Sequence, residues 1–285
     1  MRTAIEQIVE SRHPVNVDET KAVLREIMQS VVLVGLSRSG FFEKASFYGE
    51  TALRIFYHLN RYSEDLDFTL NDVNEGFSLQ PYLCEISHLA TSYGLELEMT
   101  AKNKAIESPI ESAFAKLNTY QTFITLKVNP RIVRFLHKDE VVKVKLEVDS
   151  HPALGFKAES RWLDMPEFAP VIVLDEPSLF SGKIQAILCR NFKNNVKGRD
   201  YYDFLFFMQR RIRPNMEYLR NKLLANGKIS EADPFDMDTL KKMLKEQFEK
   251  VDFSRVRQDA MRFTFENEDL SYYSKELFMQ MADRL

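Results

Sequence analysis

Two aspartates separated by one residue lie in the short apolar segment "DLDFTL", as Asp65 and Asp67. In a β-strand alternate side chains point to the same side, so both carboxylates share one face while Leu66 and Phe68 point into the core. Neighbouring carboxylates repel each other, and burying them is costly unless a cation lies between them. Magnesium prefers oxygen ligands and is often shared between carboxylates and substrate phosphates. The pair therefore favours metal-assisted phosphate chemistry, although most Asp-x-Asp pairs are solvated strand edges.

A second strand pattern carries further carboxylates. In "VVKVKLEVDS", which spans residues 141–150, the apolar residues alternate with polar ones. Lys145, Glu147 and Asp149 therefore share the face opposite the buried valines and leucine. If this strand lies beside the Asp65–Asp67 strand, a third carboxylate joins the pair. The pattern leaves open whether that is Glu147 or Asp149, and a one-sided solvent-exposed strand explains it equally well.

A glycine that precedes a helix is a second feature suited to phosphate. Gly49 precedes the segment "ETALRIFYHL", whose first turn contains Thr51. Glycine lets the backbone approach a phosphate closely, and a helix N-terminus offers free N–H groups and the positive end of its dipole. An ordinary glycine turn with a threonine cap explains the same residues, so this motif gains weight only from its neighbours.

These residues must be positioned by strands and helices, and the hydrophobic pattern predicts both. Helices are expected over residues 19–39, with Asp18 as the cap, and over residues 50–59 and 81–94. Strands are expected in "ASFY", "DLDFTL", "LELEMTAK", "FITLKVN" and "VVKVKLEVDS". From about Asp175 onward every pattern is helical. We therefore predict an α+β chain, with a mixed α/β domain over residues 1–170 and a helical domain over residues 171–285 packed against it.

The composition is that of a globular protein without a secretory or membrane segment. The 285 residues are 45% hydrophobic and 28% charged, which suffices for a sizeable core. Charges interrupt the N-terminus, and the longest apolar run, residues 31–36, is too short to span a bilayer. The two cysteines, Cys84 and Cys189, favour a reducing cytoplasm over a disulfide framework.

Basic residues form two clusters near the start of the helical half, although the formal net charge is −3. Such clusters can follow an RNA backbone, whereas a solvated helix face is the plainer interpretation. The histidines show no zinc spacing, and the chain has no C-x-x-C, no G-x-S-x-G and no G-x-x-x-x-G-K-S/T motif. The cluster residues are Arg190, Lys193, Lys197 and Arg199, followed by Arg210, Arg211, Arg213 and Arg220.

Taken together and in order, five segments resemble the AbiEii-type nucleotidyltransferases, which are toxins of type IV toxin–antitoxin and abortive-infection systems. The resemblance runs from about Gly49 to Phe204, and only the set of segments is specific. It implies a core like that of DNA polymerase β, followed by a helical part. The segments are "YGETALR", "RYSEDLDF", "VKLEVDS", "GKIQAILCR" and "KGRDYYDF".

The resemblance implies particular roles for individual residues. It assigns catalysis to Asp65, Asp67, Lys183 and Asp200, and metal binding to Asp65, Asp67 and either Glu147 or Asp149. Nucleotide binding is expected from Gly49, Thr51, Arg61, Ser63 and Arg199. Asp203 completes the last motif. This chain departs from the family where Glu50 replaces a second glycine, and there an acidic side chain is expected to crowd or repel a triphosphate.

The activity implied by the resemblance is the magnesium-dependent transfer of a nucleoside monophosphate from an NTP to RNA, notably tRNA, in the cytoplasm. A separately encoded antitoxin is the implied protein partner, and no membrane is involved. Two other interpretations stay open. The acceptor is a protein or a small molecule, or the chain is a degenerate module that binds nucleotide without turnover.

Overall fold

The computed structural model describes residues 4–74, 76–103, 119–127, 141–190, 196–264 and 268–285. Its first half contains β1 (Ala45–Tyr48), β2 (Leu66–Leu70), β3 (Leu97–Asn103), β4 (Thr119–Lys127), β5 (Val141–Asp149), β6 (Ala158–Leu163) and β7 (Ala169–Leu174), with α1 (Ala4–Ser11), α2 (Val17–Arg38), α3 (Gly49–Tyr57) and α4 (Gln80–Ser92). The second half contains α5 (Glu176–Cys189), α6 (Gly198–Gln209), α7 (Met216–Ala225), α8 (Met237–Lys250), α9 (Phe253–Ala260) and α10 (Lys275–Arg284). The predicted α+β class is confirmed.

The strands form one mixed sheet with the order β3-β4-β5-β2-β1-β7-β6. Strand β2 lies in the middle, antiparallel to β1 and parallel to β5. The parallel register puts Asp67 beside Glu147, and the antiparallel register puts Tyr48 on the other side of Asp67. Because the apolar alternates Leu66 and Phe68 are fully buried, the polar alternates are directed to the opposite face.

Helix α2 is the long central helix, and it packs against α4 and against strands of the sheet. Residues 31–36 of this helix are all buried, so this stretch is apolar on every side, which explains the run "VVLVGL". The cap predicted at Asp18 is wrong. Asn16 caps the helix instead, because its side chain accepts the N–H of Glu19 at 2.8 Å.

The apolar side chains of the sheet and of the C-terminal helices belong to one hydrophobic cluster. In the helical half this cluster is built around aromatic edge-to-face contacts, such as those of Phe204 and Phe278 with Phe248. Residue 170 lies inside β7, which pairs with β1 of the central sheet. The division into domains at residue 170 stays a prediction.

Several strand boundaries differ from the predicted segments, among them the starts of β2, β3 and β4. Strand β2 begins at Leu66, so Asp65 directly precedes the strand. Residues 128–129, at the end of the predicted strand "FITLKVN", lie outside the described residues. Within the described ranges, no helix is both long enough and apolar enough to cross a membrane.

Helix α6 begins at a glycine that touches the backbone of α9. A Cβ atom on Gly198 would lie 2.0 Å from the carbonyl oxygen of Val256, and the Gly198 N–H donates to Asp259 at 2.7 Å. In α5, by contrast, a Cβ atom on Gly182 would meet nothing within 4 Å. Close packing at the start of α6 therefore requires glycine, whereas the middle of α5 does not.

Alanine substitutions at these two helix glycines should change the free energy of unfolding in opposite directions. Gly198→Ala forces α6 away from α9 and should lower the free energy of unfolding by about 3 kcal/mol. Gly182→Ala removes backbone freedom without a clash and should raise it by about 1 kcal/mol. Urea unfolding followed by circular dichroism measures both. Equal stability of the two variants would contradict the packing described for α6 and α9.

Candidate active site

A cleft of about 460 Å³ lies between the central strands and the helical half. One wall consists of the ends of β1, β2 and β5 and the start of α3, and the other wall consists of α5, α6 and α7. Most charged side chains on the strand wall are acidic and most on the helix wall are basic, with Lys145 and Asp200 as the exceptions. The charged residues lining it are Glu50, Glu64, Asp65, Asp67, Lys145, Glu147, Lys183, Arg190, Lys197, Arg199, Asp200 and Lys222.

The carboxylates on the strand wall are close enough to disturb one another. Burial, together with the charges of Glu147, Asp65 and Glu50, raises the pKa of Asp67 to about 7, even though Lys183 acts in the opposite direction. Burial also raises the pKa of Asp65, and Lys145 opposes that shift while Glu147 adds to it. Oxygen donors that carry unrelieved negative charge suit a hard divalent cation. Among the described residues, no group of three or more His, Cys, Asp or Glu side chains is arranged so that it could hold a metal ion as it stands.

The register of the sheet distinguishes the two candidates for the third carboxylate. Glu147 is the direct neighbour of Asp67 across β2 and β5, and its Oε1 lies 2.5 Å from Lys145 Nζ. Asp149 is the neighbour of Thr69, two residues farther along the strand, and it accepts the N–H of His151 at 3.0 Å. Glu147 lies on the cleft wall, whereas Asp149 lies beyond the residues that line it.

The start of α3 touches the carboxylate of Asp67. Gly49 has a φ of +85°, a conformation that favours glycine, and a Cβ atom there would lie 2.6 Å from Asp67 Oδ2. Any side chain at this position would therefore push the helix away from Asp67. Glycine is required here for both reasons, and it brings the N-terminal end of the helix against the metal-binding candidate.

Buried hydrogen bonds fix the backbone between Ser63 and Asp65. The hydroxyl of Thr51 donates to the carbonyl oxygen of Asp65 and shares a second hydrogen bond with the hydroxyl of Ser63 at 2.8 Å. The side-chain amide of Gln29 donates to the carbonyl oxygens of Ser63 and Glu64 at 3.2 and 3.1 Å. Thr51 and Gln29 are buried, so both act on the position of Asp65 from behind the cleft.

Arg61 anchors the same loop to the helical half. Its side chain has no exposed surface, and its guanidinium donates twice to the carboxylate of Asp203 on α6, each time at 2.7 Å. A third nitrogen donates to Glu50 at 3.0 Å. Burial disfavours the positive charge, but Asp203 and Glu50 outweigh burial and raise the pKa of Arg61. In this arrangement Arg61 has no surface for a phosphate to contact.

Lys183 reaches from α5 into the floor of the cleft. Its Nζ lies 2.6 Å from Asp203 and 2.9 Å from Glu50, and 3.8 Å from Asp200. Burial works against its charge, but the three carboxylates raise the pKa of Lys183 above its ordinary value. Glu50 likewise has three partners of opposite charge. Burial opposes its ionisation, but Lys183, Arg61 and Arg199 hold the pKa of Glu50 well below its ordinary range.

Asp200 and two arginines complete the helix wall. One oxygen of the buried Asp200 carboxylate accepts from Arg190, and the other has no hydrogen-bond partner. Burial raises the pKa of Asp200, although Lys183 and Arg190 lower it. The guanidinium of Arg199 lies 4.1 Å above the ring of Phe263 and 3.5 Å from Glu50. The wall therefore combines fixed cations with one incompletely bonded carboxylate.

Most predicted site residues converge on the cleft, but Thr51 and Arg61 lie behind it and Asp149 lies beyond its wall. Thr51 and Arg61 are buried and hold other site residues in place. Sequence reasoning placed Arg190 and Lys197 only in a basic cluster for RNA, gave Gln29 no role, and did not foresee the bonds of Asp203. The available signal for Gln29 was a polar residue two positions before the apolar run of α2. The predicted residues on the cleft wall are Gly49, Ser63, Asp65, Asp67, Glu147, Lys183, Arg199 and Asp200.

Comparison with known proteins bears on this arrangement. A family model described as "Nucleotidyl transferase AbiEii toxin, Type IV TA system" matches residues 31–281. The chain matches no curated protein. Among solved structures, JHP933 from Helicobacter pylori has a TM-score of 0.53 at 16% identity, over 92% of this chain and 90% of that one. At this identity the likeness concerns the fold alone.

Two further solved structures are similar at lower scores. A putative nucleotidyltransferase from H. pylori has a TM-score of 0.49 at 17% identity, over 92% of this chain and 93% of that one. The nucleotidyltransferase toxin MenT4 from Mycobacterium tuberculosis H37Rv has a TM-score of 0.49 at 16% identity, over 99% of both chains.

The raised pKa of Asp67 predicts a pH-dependent cost of folding. Because this pKa rises from 3.8 to about 7, the contribution of Asp67 to the free energy of unfolding is complete below about pH 4 and is lost as the pH rises towards 7. Without divalent cations, the free energy of unfolding of Asp67→Asn relative to that of the wild type should therefore increase by about 1–3 kcal/mol as the pH rises from 4 to 8. Urea unfolding at a series of pH values measures the difference.

The exposed Asp72 lies two residues beyond β2 and provides the matched control. Asp72→Asn should follow the wild-type profile at every pH. If Asp67→Asn also follows that profile, the carboxylate cluster does not strain the fold in the way described. Millimolar magnesium should reduce the loss of stability that the wild type shows as the pH rises, and it should leave the stability of Asp67→Asn unchanged.

Proposed function

Because the chain belongs to the AbiEii family of nucleotidyltransferase toxins of type IV toxin–antitoxin systems, we propose that it transfers a nucleoside monophosphate from an NTP to an RNA acceptor, with magnesium as the cofactor. The family makes the chain a nucleotidyltransferase. The metal, the acceptor and the residue roles are our proposal. tRNA is the proposed RNA, the cytoplasm is the proposed site of action, and a cognate antitoxin is the proposed protein partner.

The observation that carries this proposal is the opposition of charges across one cleft. Asp65, Asp67 and Glu147 lie on the strand wall, while Lys183 and Arg199 lie on the helix wall. A divalent cation bound to the carboxylates and a triphosphate bound to the cations would satisfy both walls at once. Neither partner alone would neutralise the site, which is why we infer a metal–nucleotide complex as the ligand.

In the proposed mechanism, Asp65, Asp67 and Glu147 would hold magnesium, whose charge would polarise the phosphate oxygens and lower the pKa of the acceptor hydroxyl. The acceptor oxygen bonds to the α-phosphorus as the bond to pyrophosphate breaks, and the hydroxyl proton passes to water. Lys183 and Arg199 stabilise the charge that builds on the departing pyrophosphate. Asp203 keeps the Lys183 ammonium in place through its 2.6 Å contact. Gly49 leaves room for the phosphate beside Asp67, and Thr51 and Gln29 hold the loop from which Asp65 projects.

The surroundings of the cleft support a polyanionic acceptor. Cations at its mouth include Lys145, Lys197 and Lys222, and Arg190 also lines a neighbouring groove. That groove contains three further cations and one carboxylate, Asp252. The added cations are Lys228, Lys250 and Arg255. A basic path that leads to the cleft suits an RNA strand better than a small neutral acceptor.

The second basic cluster lies apart from this path. Arg210 pairs with Glu176 at 2.8 Å, and Arg220 donates to the carbonyl oxygen of Glu231 at 3.2 Å. Both belong to surface contacts of the helical half, as the plainer interpretation of this cluster predicts. Lys193, from the first cluster, lies outside the described residues. The proposed RNA path therefore rests on Arg190, Lys197 and the groove beside them.

Transfer of label from NTPs tests the proposed reaction. Purified protein is incubated with each α-labelled NTP, magnesium and total RNA, and Asp67→Asn is compared with the exposed control Asp72→Asn. Because Asp67 is proposed to bind the metal directly, its loss should lower RNA labelling by about a thousandfold. Asp72→Asn should label RNA like the wild type.

Each other outcome rejects a defined part of the proposal. Label in protein or in a small molecule would reject the RNA acceptor. Nucleotide binding without label in any acceptor would reject turnover. Labelling that survives in Asp67→Asn would reject the assigned site. Growth arrest upon expression of the wild type, absent for Asp67→Asn, is expected if the activity is the source of toxicity.

The two candidates for the third metal ligand make separate predictions. Because Glu147 is the direct neighbour of Asp67, Glu147→Gln should weaken Mn²⁺ binding by about tenfold or more. Asp149→Asn should leave Mn²⁺ binding nearly unchanged, because Asp149 lies beyond the cleft wall. Electron paramagnetic resonance titration with Mn²⁺ alone measures both. The reverse order of the two effects would assign the role to Asp149.

A further inference from the structure

The carboxylate of Glu50 occupies the centre of a cluster of cations. One of its oxygens accepts from Lys183 at 2.9 Å, and the other accepts from Arg61 at 3.0 Å and lies 3.5 Å from Arg199. The cations come from α5, from the loop before β2, and from α6, so the cluster forms only in the folded chain. We call the place that these three cations surround the cation seat.

The cation seat has the chemistry that binds phosphate. Two guanidinium groups and an ammonium converge on it, and Glu50 itself belongs to the first turn of α3, where the helix dipole favours an anion. Lys183 and Arg199 both line the cleft that is proposed to hold the NTP. The seat and the proposed phosphate site are therefore the same place, and a carboxylate already fills it.

A second carboxylate in contact with the seat differs from Glu50 in burial. Asp203 also pairs with Arg61 and Lys183, at 2.7 and 2.6 Å, but its side chain is 0% exposed, whereas that of Glu50 is 19% exposed. Asp203 can hold both cations in position whether or not Glu50 remains. Glu50 lies on the cleft wall and can turn towards solvent without disturbing the cations that it leaves.

We propose that Glu50 is an intramolecular substitute for a phosphate group, which fills the cation seat in the free protein and is displaced by the triphosphate of the incoming nucleotide. This inference rests on the proposed function, since it takes the cleft to be the NTP site. It gives a structural cause for the weaker nucleotide binding expected from sequence, because Glu50 competes with phosphate for the same cations. Glu50 offsets part of the positive charge of the seat and keeps it assembled, at the cost of weaker binding of phosphate.

Displacement predicts that neutralising Glu50 strengthens phosphate binding. The probe is inorganic tripolyphosphate in the presence of EDTA, measured by isothermal titration calorimetry, so that neither metal nor base contributes. Glu50→Gln removes the competing charge with little change in shape and should bind the probe about tenfold more tightly than the wild type. The gain should shrink as salt is added, because the competition is electrostatic.

Glu64 provides the matched control. It also lines the cleft, but it is exposed and pairs with Arg25 at 3.2 Å, outside the cation seat. Glu64→Gln removes the same unit of negative charge from the cleft and should change tripolyphosphate affinity by much less than Glu50→Gln. If the two variants gain equally, or if Glu50→Gln binds no better than the wild type, the displacement model is overturned.

Thermal unfolding separates displacement from a purely structural role. Without ligand, Glu50→Gln should melt below the wild type, because three cations lose a partner. Tripolyphosphate should raise the melting temperature of Glu50→Gln more than that of the wild type, since the anion refills the seat. A purely structural Glu50 would give the same loss of stability without this selective rescue.

If Glu50→Gln does not fold, Glu50→Asp replaces it, because aspartate keeps the charge but is shorter by one methylene group. Glu50→Asp should show the same two effects in smaller size, and wild-type behaviour in both measurements would overturn the proposal. If Glu50→Gln binds tripolyphosphate more tightly than the wild type, but the wild type transfers no nucleotide, the displacement model stands and the enzymatic function is rejected. If the wild type transfers nucleotide, but Glu50→Gln gains no affinity for tripolyphosphate, the enzymatic function stands and the displacement model is rejected.

Discussion

The structure depends on the buried ion pair between Arg61 and Asp203. This pair joins the loop that carries Asp65 to helix α6, and neither side chain has any exposed surface. Removing one partner of a buried pair costs about 3–5 kcal/mol, because the remaining charge is left without compensation. The two hydrogen bonds from the Arg61 guanidinium to the Asp203 carboxylate also fix the relative orientation of the two side chains. Lys183 contacts Asp203 and Glu50 contacts Arg61, so the positions of Lys183 and Glu50 in the cleft both depend on this one ion pair.

The cleft places two incompletely neutralised groups of charges opposite each other. On the strand wall, burial and the neighbouring carboxylates raise the pKa of Asp67 to about 7. On the helix wall, the buried Asp200 has one oxygen without a hydrogen-bond partner. A sequence selected for stability alone would replace or pair such groups. Gly49 adds a further constraint, since its lack of a side chain lets the helix approach a carboxylate that already repels its neighbours. These features are consistent with a site whose ligands supply the missing charges.

Sequence predicted the elements of this site better than the contacts between them. Alternation in "DLDF" and "VKLEVD" indicated which carboxylates share a face, because that information is local. The choice between Glu147 and Asp149 needed the register between two strands about 80 residues apart, which no local pattern contains. Glu50 was interpreted as a source of repulsion because two of its cationic partners, Lys183 and Arg199, are 133 and 149 residues away in the sequence. Strand β6 was missed because its sequence, "AESRWL", belongs to an exposed edge with little hydrophobic alternation.

The last part of the chain also supports the loop that leads to Asp65. The N–H of Tyr62 donates to the carbonyl oxygen of Phe263 at 2.8 Å, and Arg61 forms a β-bridge with Thr264. The ring of Phe263 also lies beneath the guanidinium of Arg199. During synthesis on a ribosome, these partners emerge about 200 residues after the loop that they hold. A growing polypeptide that does not yet contain residues 263–264 therefore lacks these supports of its cleft, and the whole site can assemble only after that segment has been made.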